Sequence, residues 1–380
     1  MAEGGKKKIK VLEVAYLFDY GGIRAFIMNY LRYIDKEKFD VDIYVFGDDS
    51  SPFTEEVQRL GARIFFEPEN NAKKNIPRFI RQLYHFMKEH GPYDVVHAHT
   101  NLIGAWVLIA AKLAGVPHRL SHSHTTDNFR DSLIQRSYSG LRRWIVNRLA
   151  TGKLACGKLA GENMYGKGAD FKVAVNGIPT EKFLTPDRAN VEALRRSLSI
   201  PEGVRVYANV TRLDTQKNHL FAVEVFREIH KIDPDAIFIC GGVIPDLSST
   251  EKEVKNKIRE YGLEEFCRIT GPFKRVEDLY HLSDVWIYCS IFEGLPFGPI
   301  ELQAAGVPVL VSDVITREID LGLGLLHFLS LDDSPQVWAR KAVSIKKEGL
   351  PLEKIKKAFA MHNFDISQNV KNLEQIYEAR

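Results

Sequence analysis

A segment that carries two glutamates, Glu293 and Glu301, combines residue types that suit a phosphorylated and hydroxyl-rich ligand. Seven residues lie between them, which places the first in a glycine- and proline-rich loop and the second in the helix that this loop begins. A carboxylate accepts hydrogen bonds from hydroxyl groups, and the N–H groups at the start of a helix attract phosphate. The segment therefore predicts that one carboxylate meets a sugar, the other meets a ribose, and the backbone between them faces phosphate.

A basic pair, Arg212 and Lys217, follows a predicted strand and opens a predicted helix in the same half of the chain. The N-terminus of a helix carries a partial positive charge, and there a guanidinium, an ammonium and N–H groups can converge on phosphate. Taken alone, the two residues would be unremarkable surface residues.

Paired glycines, Gly21 and Gly22, follow the first predicted strand. Glycine lets the backbone approach a ligand closely and leaves the N–H groups of the next helix available to an anion. A plain turn before a helix explains the pair equally well. The chain has no G-x-G-x-x-G sequence, which argues against a dinucleotide-dependent dehydrogenase.

Two histidine pairs, His97 with His99 and His122 with His124, follow predicted strand ends. Residues two apart in an extended chain face the same side, so a metal site must be considered. No aspartate, glutamate or cysteine nearby in the sequence completes a set of zinc ligands. We therefore interpret the histidines as polar side chains that point into a cleft, and we predict no metal.

The elements that must position these residues alternate along the chain as short apolar runs and longer segments with helical periodicity. This alternation is typical of parallel sheets with crossover helices, in which ligands bind beyond the carboxyl ends of the strands. The first predicted series of strands is 9–15, 41–46, 62–66, 95–97, 119–121, 153–155 and 172–175, and the second is 204–210, 236–240, 267–270, 285–288 and 307–311. Helices are predicted at 218–232, 251–261 and 366–378, the last of which could pack on either domain.

Length and composition are those of an ordinary globular protein. The 380 residues exceed the roughly 250–300 at which a single core stops growing, so two domains with a cleft between them are expected. The net charge of +3 is too small to indicate nucleic-acid binding. The four cysteines are far apart and lie mostly in apolar runs, which predicts reduced, buried thiols at Cys156, Cys240, Cys267 and Cys289.

A cytoplasmic location is expected, because no apolar run reaches the ~18 residues that span a bilayer and the basic N-terminus lacks a signal-peptide pattern. One predicted helix interleaves basic and apolar residues and could lie against an anionic membrane. A surface helix with a solvated face is the simpler interpretation. The basic residues are Arg130, Arg136, Arg142, Arg143 and Arg148, and the apolar ones are Leu133, Ile134, Tyr138, Leu141, Trp144 and Ile145.

Together these motifs resemble the retaining glycosyltransferases of the glycosyltransferase-B fold, in particular the capsular and exopolysaccharide branch. The resemblance covers nearly the whole chain, and its most specific part is the pair of glutamates with the upstream basic pair. It is carried by Gly21-Gly22, 96–99, 121–124, 175–178, 212–218, 293–301, 312–316 and a terminal helix at 364–377 that resembles the family's helix crossing back to the first domain.

The resemblance implies an α/β fold of two Rossmann-like domains facing across a cleft. Residues 1–187 are expected to form an acceptor domain, residues 188–362 a nucleotide-sugar donor domain, and residues 363–380 the returning helix. The implied activity is transfer, with retention, of a sugar from a nucleotide-diphosphate donor, with a UDP-sugar favoured, to a glycan or lipid-linked acceptor.

The resemblance also implies residue roles. Arg212 and Lys217 hold the donor diphosphate in place of a metal, so no cofactor is expected. Glu301 binds ribose and Glu293 contacts the donor sugar, while His124 corresponds to the family's active-site histidine. The remaining implied contacts are the close-approach glycine Gly22 beside Gly21, the backbone at Phe297, Gly298 and Pro299, and a base near Gly271 to Phe273.

Three departures from the family pattern concern the first loop, which reads Gly22-Ile23-Arg24; the loop Cys240-Gly241-Gly242-Val243, which lacks Gly-Asp-Gly; and Pro299, which has no N–H.

Two other functions stay open at this point. A nucleotide-sugar epimerase or phosphorylase on the same fold would share the phosphate site, and a non-catalytic partner subunit would bind the nucleotide without transfer.

Overall fold

The computed structural model describes residues 7–70, 72, 75–126, 133–243 and 249–379, with the backbone alone at 133–137. The chain forms two compact units, Met1–Gly177 together with Asn363–Arg380, and Ile178–His362. Among the described residues, none of the helices is both long and apolar enough to cross a bilayer.

Each unit is built on one parallel sheet. The first sheet contains β1 (Ile9–Ala15), β2 (Phe39–Val45), β3 (Arg63–Phe66), β4 (Val95–Ala98), β5 (His118–Ser123), β6 (Gly152–Ala155) and β7 (Lys172–Val173). The second contains β8 (Val206–Val210), β9 (Ile237–Gly241), β10 (Cys267–Thr270), β11 (Val285–Tyr288), β12 (Val309–Ser312) and β13 (Leu326–Leu329).

Helices lie between the strands and also follow the last one. In chain order they are α1 (Gly22–Tyr33), α2 (Thr54–Arg59), α3 (Ile76–His90), α4 (Gly104–Ala114), α5 (Leu133–Leu149), α6 (Lys158–Tyr165), α7 (Glu181–Leu184), α8 (Arg188–Ser197), α9 (His219–Ile232), α10 (Thr250–Glu260), α11 (Val276–Leu282), α12 (Phe297–Ala304), α13 (Pro335–Ser344), α14 (Leu352–Met361) and α15 (Ile366–Glu378).

The strand orders of the two sheets follow the same rule. The first is β3-β2-β1-β4-β5-β6-β7 and the second is β10-β9-β8-β11-β12-β13, with parallel pairing throughout. In both, the order reverses beside the first strand, between β1 and β4 and between β8 and β11. Ligands of open parallel sheets bind at such a reversal, beyond the carboxyl ends of the strands.

All twelve predicted strands are present, with bounds shifted by a few residues. Strand β13 was missed because its sequence, Leu-His-Phe-Leu, contains no β-branched residue and follows a glycine-rich turn. The four cysteines are buried and lie outside disulfides, as predicted.

The first unit ends at Gly177, earlier than the expected boundary at residue 187. Helix α7 accounts for the difference, because its side chains pack within the second unit. The ring of Phe183 lies 6.0 Å from that of Tyr280, and Lys182 pairs with Glu277 at 3.1 Å.

The terminal helix α15 packs within the first unit. The Asn369 side chain donates to the carbonyl of Val175 at 3.1 Å and accepts a hydrogen bond from the hydroxyl of Tyr30. These contacts bring Tyr377, near the end of the helix, into the interior beside Phe39 at the start of β2.

Two glycines join the carboxyl ends of β8, β9 and β10. Gly241 and Gly242 have φ values of +129° and +123°, and a Cβ on Gly242 would lie 1.9 Å from the carbonyl oxygen of Thr211. The amide of Thr211 donates to Gly241 and that of Gly242 to Thr270, each at 2.9 Å. Glycine is therefore required at both positions, and the pair fixes the loop that carries Arg212.

Candidate active site

The predicted phosphate- and sugar-binding residues of the second unit lie at its strand reversal. Arg212 and Lys217 follow β8, and Glu293 follows the adjacent strand β11. Asp214 caps the short 3-10 turn between them by accepting from the amide of Lys217 at 3.2 Å. Asn218, with φ of +56°, then turns the chain into α9.

Lys217 and Glu293 are in direct contact. The ammonium touches carboxylate oxygen Oε1, which also accepts from the hydroxyl of Tyr288 at 3.1 Å, and Gln216 donates to the other oxygen at 3.3 Å. Burial alone would lower the pKa of Lys217, but Tyr288 and Glu293 hold it above its ordinary value. The loops after β8 and β11 are thus joined by a charged pair.

Arg212 is also held by side chains of its own loop. Its Nε donates to Asp214 at 2.5 Å and its terminal nitrogen to Gln216 at 3.4 Å. The side chain is about one-third exposed. A guanidinium has five N–H donors, so these two contacts leave donors that can meet an anion.

Helix α12 begins beside this pair. Its N-cap is Pro296, whose side chain makes no capping hydrogen bond, and Pro299 is in the first turn. The N–H groups of Phe297 and Gly298 therefore have no intrahelical acceptor, whereas Pro299 offers no N–H at all. A Cβ on Gly298 would lie 3.3 Å from the ring of Tyr288, so this glycine preserves the position of the tyrosine.

Glu301, one turn into α12, is held by a residue that the sequence analysis did not identify. The buried hydroxyl of Tyr280 donates to its Oε2 at 2.7 Å. Burial raises the pKa of Tyr280, and the negative charge of Glu301 raises it further, so the phenol keeps its proton. The other predicted residue of this unit, Phe273, is half-buried in the loop after β10, two strands from β8.

In the first unit, the glycine pair begins a helix at the strand reversal. Gly21 is the N-cap of α1 in an extended conformation, and no side chain caps that end. A Cβ on Gly21 would lie 3.3 Å from the carboxylate of Asp19. The N-cap residue therefore forms no side-chain hydrogen bond to the N–H groups at the start of α1.

The four histidines form one cluster with two residues from elsewhere in the chain. Glu13 of β1 is the registered neighbour of His97 on β4, so both project from the same side of the sheet. The carboxylate accepts from Nε2 of His99 at 2.6 Å and from the hydroxyl of Tyr377 at 2.6 Å. Its Oε2 is 3.2 Å from Nδ1 of His97.

The rest of the cluster is linked ring to ring. His97 Nε2 lies 3.1 Å from His122 Nδ1, and His99 Nδ1 lies 2.8 Å from His124 Nε2. His97, His99 and His122 are fully buried, whereas His124 is partly exposed. The expectation that all four histidines point into a cleft was therefore wrong for three of them, because Glu13 and Tyr377 bind His97 and His99 in the interior and His97 in turn binds His122.

Burial controls the protonation of this cluster. It lowers the pKa of His99 to about 4, helped by the charge of His97, and holds the pKa of His122 and His124 well below the ordinary histidine value. For Glu13 burial acts in the opposite direction, but the charge and hydrogen bonds of His97 and His99 outweigh it and keep the carboxyl pKa low. Glu13 is ionised and His99 is neutral at pH 7.

A metal ion has to be considered again at this cluster. The ligand atoms of His97, His99 and His122 lie within 4.8 Å of one another, and the structure adds a carboxylate that the sequence analysis did not find. However, both ring nitrogens of His97 and of His99 already have hydrogen-bond partners at 2.6–3.1 Å. The absence of a metal stays a prediction.

Of the residues that the sequence analysis missed, Glu13 left a signal in the sequence and the three tyrosines did not. Glu13 is an acidic residue among the apolar residues 11–15 of the first strand, which is a signal for a buried and paired carboxylate. Tyr280, Tyr288 and Tyr377 were indistinguishable from ordinary core aromatics, because only the folded chain shows which carboxylate each hydroxyl meets.

Two family descriptions match the chain in adjacent parts. Residues 20–182 match "Glycosyltransferase Family 4" and residues 190–318 match "Glycosyl transferases group 1". EpsF of Bacillus subtilis, named as a glycosyltransferase, is 32% identical over 378 residues, which cover 97% of this chain and 96% of EpsF.

Two other similarities are weaker in sequence. An Escherichia coli protein named UDP-Gal:alpha-D-GlcNAc-diphosphoundecaprenol alpha-1,3-galactosyltransferase is 26% identical over 325 residues, covering 81% of this chain and 80% of that protein. The crystal structure of Anabaena HepE in complex with UDP-glucose superimposes with a TM-score of 0.79 at 17% identity, covering 98% of this chain and all of HepE. The second similarity demonstrates the fold alone.

The histidine cluster predicts acid sensitivity. Because the pKa of His99 is about 4 in the folded chain and near 6.5 when unfolded, the unfolded chain binds more protons in this window. Stability should therefore fall as pH decreases from about 6.5 towards 4, and Glu13, with its lowered pKa, adds to the loss only below its ordinary value of 4.5. Thermal unfolding midpoints at about pH 7.5 and pH 5 measure this, and His85→Ala, at an exposed histidine, should leave the difference unchanged. Equal midpoints at the two pH values would contradict the prediction.

Proposed function

The chain belongs to the group 1 glycosyltransferases of exopolysaccharide and capsule biosynthesis, and on that premise we propose that it transfers a sugar from a UDP-sugar, with retention, to a lipid-linked saccharide. The predicted family, enzyme class and glycosyltransferase-B fold are thereby confirmed. The observation that carries the proposal is the arrangement of cationic and carboxylate side chains at the β8–β11 reversal, where Lys217 and Glu293 are in contact.

The choice of donor and acceptor is supported by relatives. The Escherichia coli relative is named for UDP-galactose and a diphosphoundecaprenol-linked acceptor, and HepE holds UDP-glucose on the same fold. The protein chemistry agrees with a nucleotide diphosphate, because Arg212, Lys217 and the start of α12 offer positive charge while Glu301 offers a carboxylate suited to ribose hydroxyls.

In the proposed reaction the bond between the anomeric carbon and the diphosphate oxygen breaks while the acceptor hydroxyl forms a new bond on the same face. The acceptor proton passes to the departing phosphate, and UDP is released. Arg212 and Lys217 stabilise the negative charge that develops on the leaving group, as preorganised donors do. Glu293, held by Lys217 and Tyr288, contacts the hydroxyls of the donor sugar.

Two other functions were open from the sequence, and neither is favoured by the relatives. An epimerase would convert a free nucleotide sugar without an acceptor. A binding subunit would hold the nucleotide without transfer or donor hydrolysis. Incubation with donor alone separates both from a transferase.

The direct test is a panel of UDP-sugars with undecaprenyl-diphosphate-linked saccharides. A cognate donor at about a hundred times its dissociation constant should add about 2.7 kcal/mol to stability, which identifies it by thermal shift before transfer is assayed.

Transfer should persist with EDTA, because side chains supply the positive charge. Loss of donor binding on adding EDTA to the purified protein would contradict the metal-independent mechanism, and conversion of donor without acceptor would indicate the epimerase.

Substitution of Glu301 and of Arg212 should have different kinetic effects. Glu301→Ala should mainly raise the donor KM, because ribose is bound equally in the ground and transition states. Arg212→Ala should also lower kcat by about 10²-fold or more, because the phosphate charge grows as the bond breaks. Steady-state kinetics of both variants give the comparison. A normal kcat for Arg212→Ala, or a normal donor KM for Glu301→Ala, would show that these residue assignments are wrong.

The basic and apolar surface of α5 supports a second proposal, peripheral contact with an anionic membrane. Tyr138, Leu141 and Trp144 are exposed, Trp144 by 64%, on the helix that also carries Arg142, Arg143 and Arg148. Arg142 lies over the ring of Tyr138 at 4.3 Å. Arg130 lies outside the described residues, as do the side chains of Leu133, Ile134 and Arg136.

Binding to vesicles tests this surface. Each basic residue near an anionic bilayer contributes about 1 kcal/mol, so Arg148→Gln should weaken binding to phosphatidylserine vesicles about fivefold, and added salt should weaken it further. Trp144→Ala should also weaken binding, whereas Met361→Ala, at an even more exposed apolar residue of α14, should not. Equal co-sedimentation with neutral and anionic vesicles would refute the contact.

A further inference from the structure

His124 is the residue of the histidine cluster that reaches the protein surface. Its Nε2 lies 2.8 Å from Nδ1 of buried His99, and its backbone amide donates to Asn101 at 3.4 Å. The two ring nitrogens of an imidazole point in roughly opposite directions, so Nδ1 of His124 is directed away from His99. Which nitrogen carries the proton decides whether His124 accepts or donates a hydrogen bond on that outer side.

The direction of the hydrogen bonds follows from Glu13. An ionised carboxylate only accepts, so the proton in the 2.6 Å contact belongs to Nε2 of His99. His99 is neutral at pH 7 because its pKa is about 4, and its Nδ1 therefore carries a lone pair. The contact between His99 and His124 then requires a proton on Nε2 of His124, which leaves Nδ1 of His124 unprotonated.

The second branch of the cluster does not alter this assignment. Tyr377 donates its hydroxyl proton to Glu13 at 2.6 Å, and its oxygen can accept from Nδ1 of His97 at 2.7 Å. Beyond His97 lies His122, whose Nε2 is buried without a partner among the described residues. The ring of Phe26 packs against the histidines from α1, so it adds no further charge to the cluster.

We propose that Glu13 and His99 are positioning residues that fix the tautomer of His124, so that its Nδ1 accepts a hydrogen bond from a hydroxyl group of a substrate sugar. The identity of the substrate rests on the proposed function, whereas the direction of the hydrogen bonds rests on the geometry of the first unit. The departing phosphate takes the acceptor proton, so His124 orients a hydroxyl and is not required as a base.

Two amide substitutions at His99 separate the contacts of its two nitrogens. The amide of asparagine reaches the position of Nδ1, so His99→Asn keeps an acceptor for His124, because Glu13 attracts the amide N–H₂ group and leaves the carbonyl facing His124. The longer glutamine reaches the position of Nε2, so His99→Gln keeps a partner for Glu13 and removes the acceptor for His124. Both variants retain a polar side chain at the buried site.

The tautomer is measured directly by ¹⁵N NMR of histidine-labelled protein, with the signals of His124 assigned from their loss in His124→Gln. The unsubstituted protein and His99→Asn should show His124 protonated at Nε2 alone, and His99→Gln should show a mixture of tautomers. With an active donor, His99→Gln should lower kcat about tenfold or more, because the sugar hydroxyl is oriented less well, and His99→Asn should lower it less. The binding constant for UDP should stay within about twofold in both, because Arg212, Lys217 and Glu301 belong to the other unit.

A His124 ring protonated at Nδ1 in the unsubstituted protein, or an unchanged tautomer in His99→Gln, would overturn the proposal. Equal kcat for the Asn and Gln variants would overturn it as well. That result would mean that His99 has a structural role in which the tautomer of His124 does not matter. If no UDP-sugar is transferred by the unsubstituted protein, the proposed function fails, while the ¹⁵N spectra still decide the tautomer of His124.

Discussion

The reversal of strand order in each parallel sheet is the constraint on which the sites depend. Where the strand order reverses, the connections of two neighbouring strands run to opposite sides of the sheet. An opening therefore remains beyond the carboxyl ends of these strands that no crossover helix covers. In the first sheet this opening lies beyond β1 and β4, and in the second beyond β8 and β11. Polar residues that follow these strands are therefore brought together although they are 70 to 80 residues apart in the chain.

At the second reversal, the charged groups are held before a ligand arrives. Glu293 has three donors around it from Lys217, Tyr288 and Gln216, and Glu301 has the hydroxyl of Tyr280. Side chains locked in this way lose little conformational entropy when they meet a substrate and need little reorganisation as charge develops. The two tyrosines are buried, so their contribution is to orient the carboxylates.

At the first reversal, the same geometry encloses a carboxylate in the interior. A buried charge is tolerated only when it is paired and its remaining acceptor positions are satisfied, and removing one partner of such a pair costs about 3–5 kcal/mol. Glu13 meets this condition through His97 and His99, at the carboxyl end of β4, and through Tyr377 of α15. The ionised carboxylate of Glu13 can only accept hydrogen bonds, so the side chains around it must donate. This decides which partner is the donor in each hydrogen bond of the network.

The sequence by itself determined the fold class, the strand series and the family, because apolar periodicity and turn residues are local and the spacing of Glu293 and Glu301 with Arg212 and Lys217 is specific. It also indicated which loops carry chemistry, since those loops follow strand ends. Tertiary structure decided which groups meet. Glu13 lies more than 80 residues from His97 and His99, and Tyr377 lies about 280 residues beyond them, so no spacing in the chain could show that they share one hydrogen-bond network. The first boundary between the units, the strand β13 and the burial of three histidines were likewise decided by packing, because each depends on contacts between elements that the sequence does not place side by side.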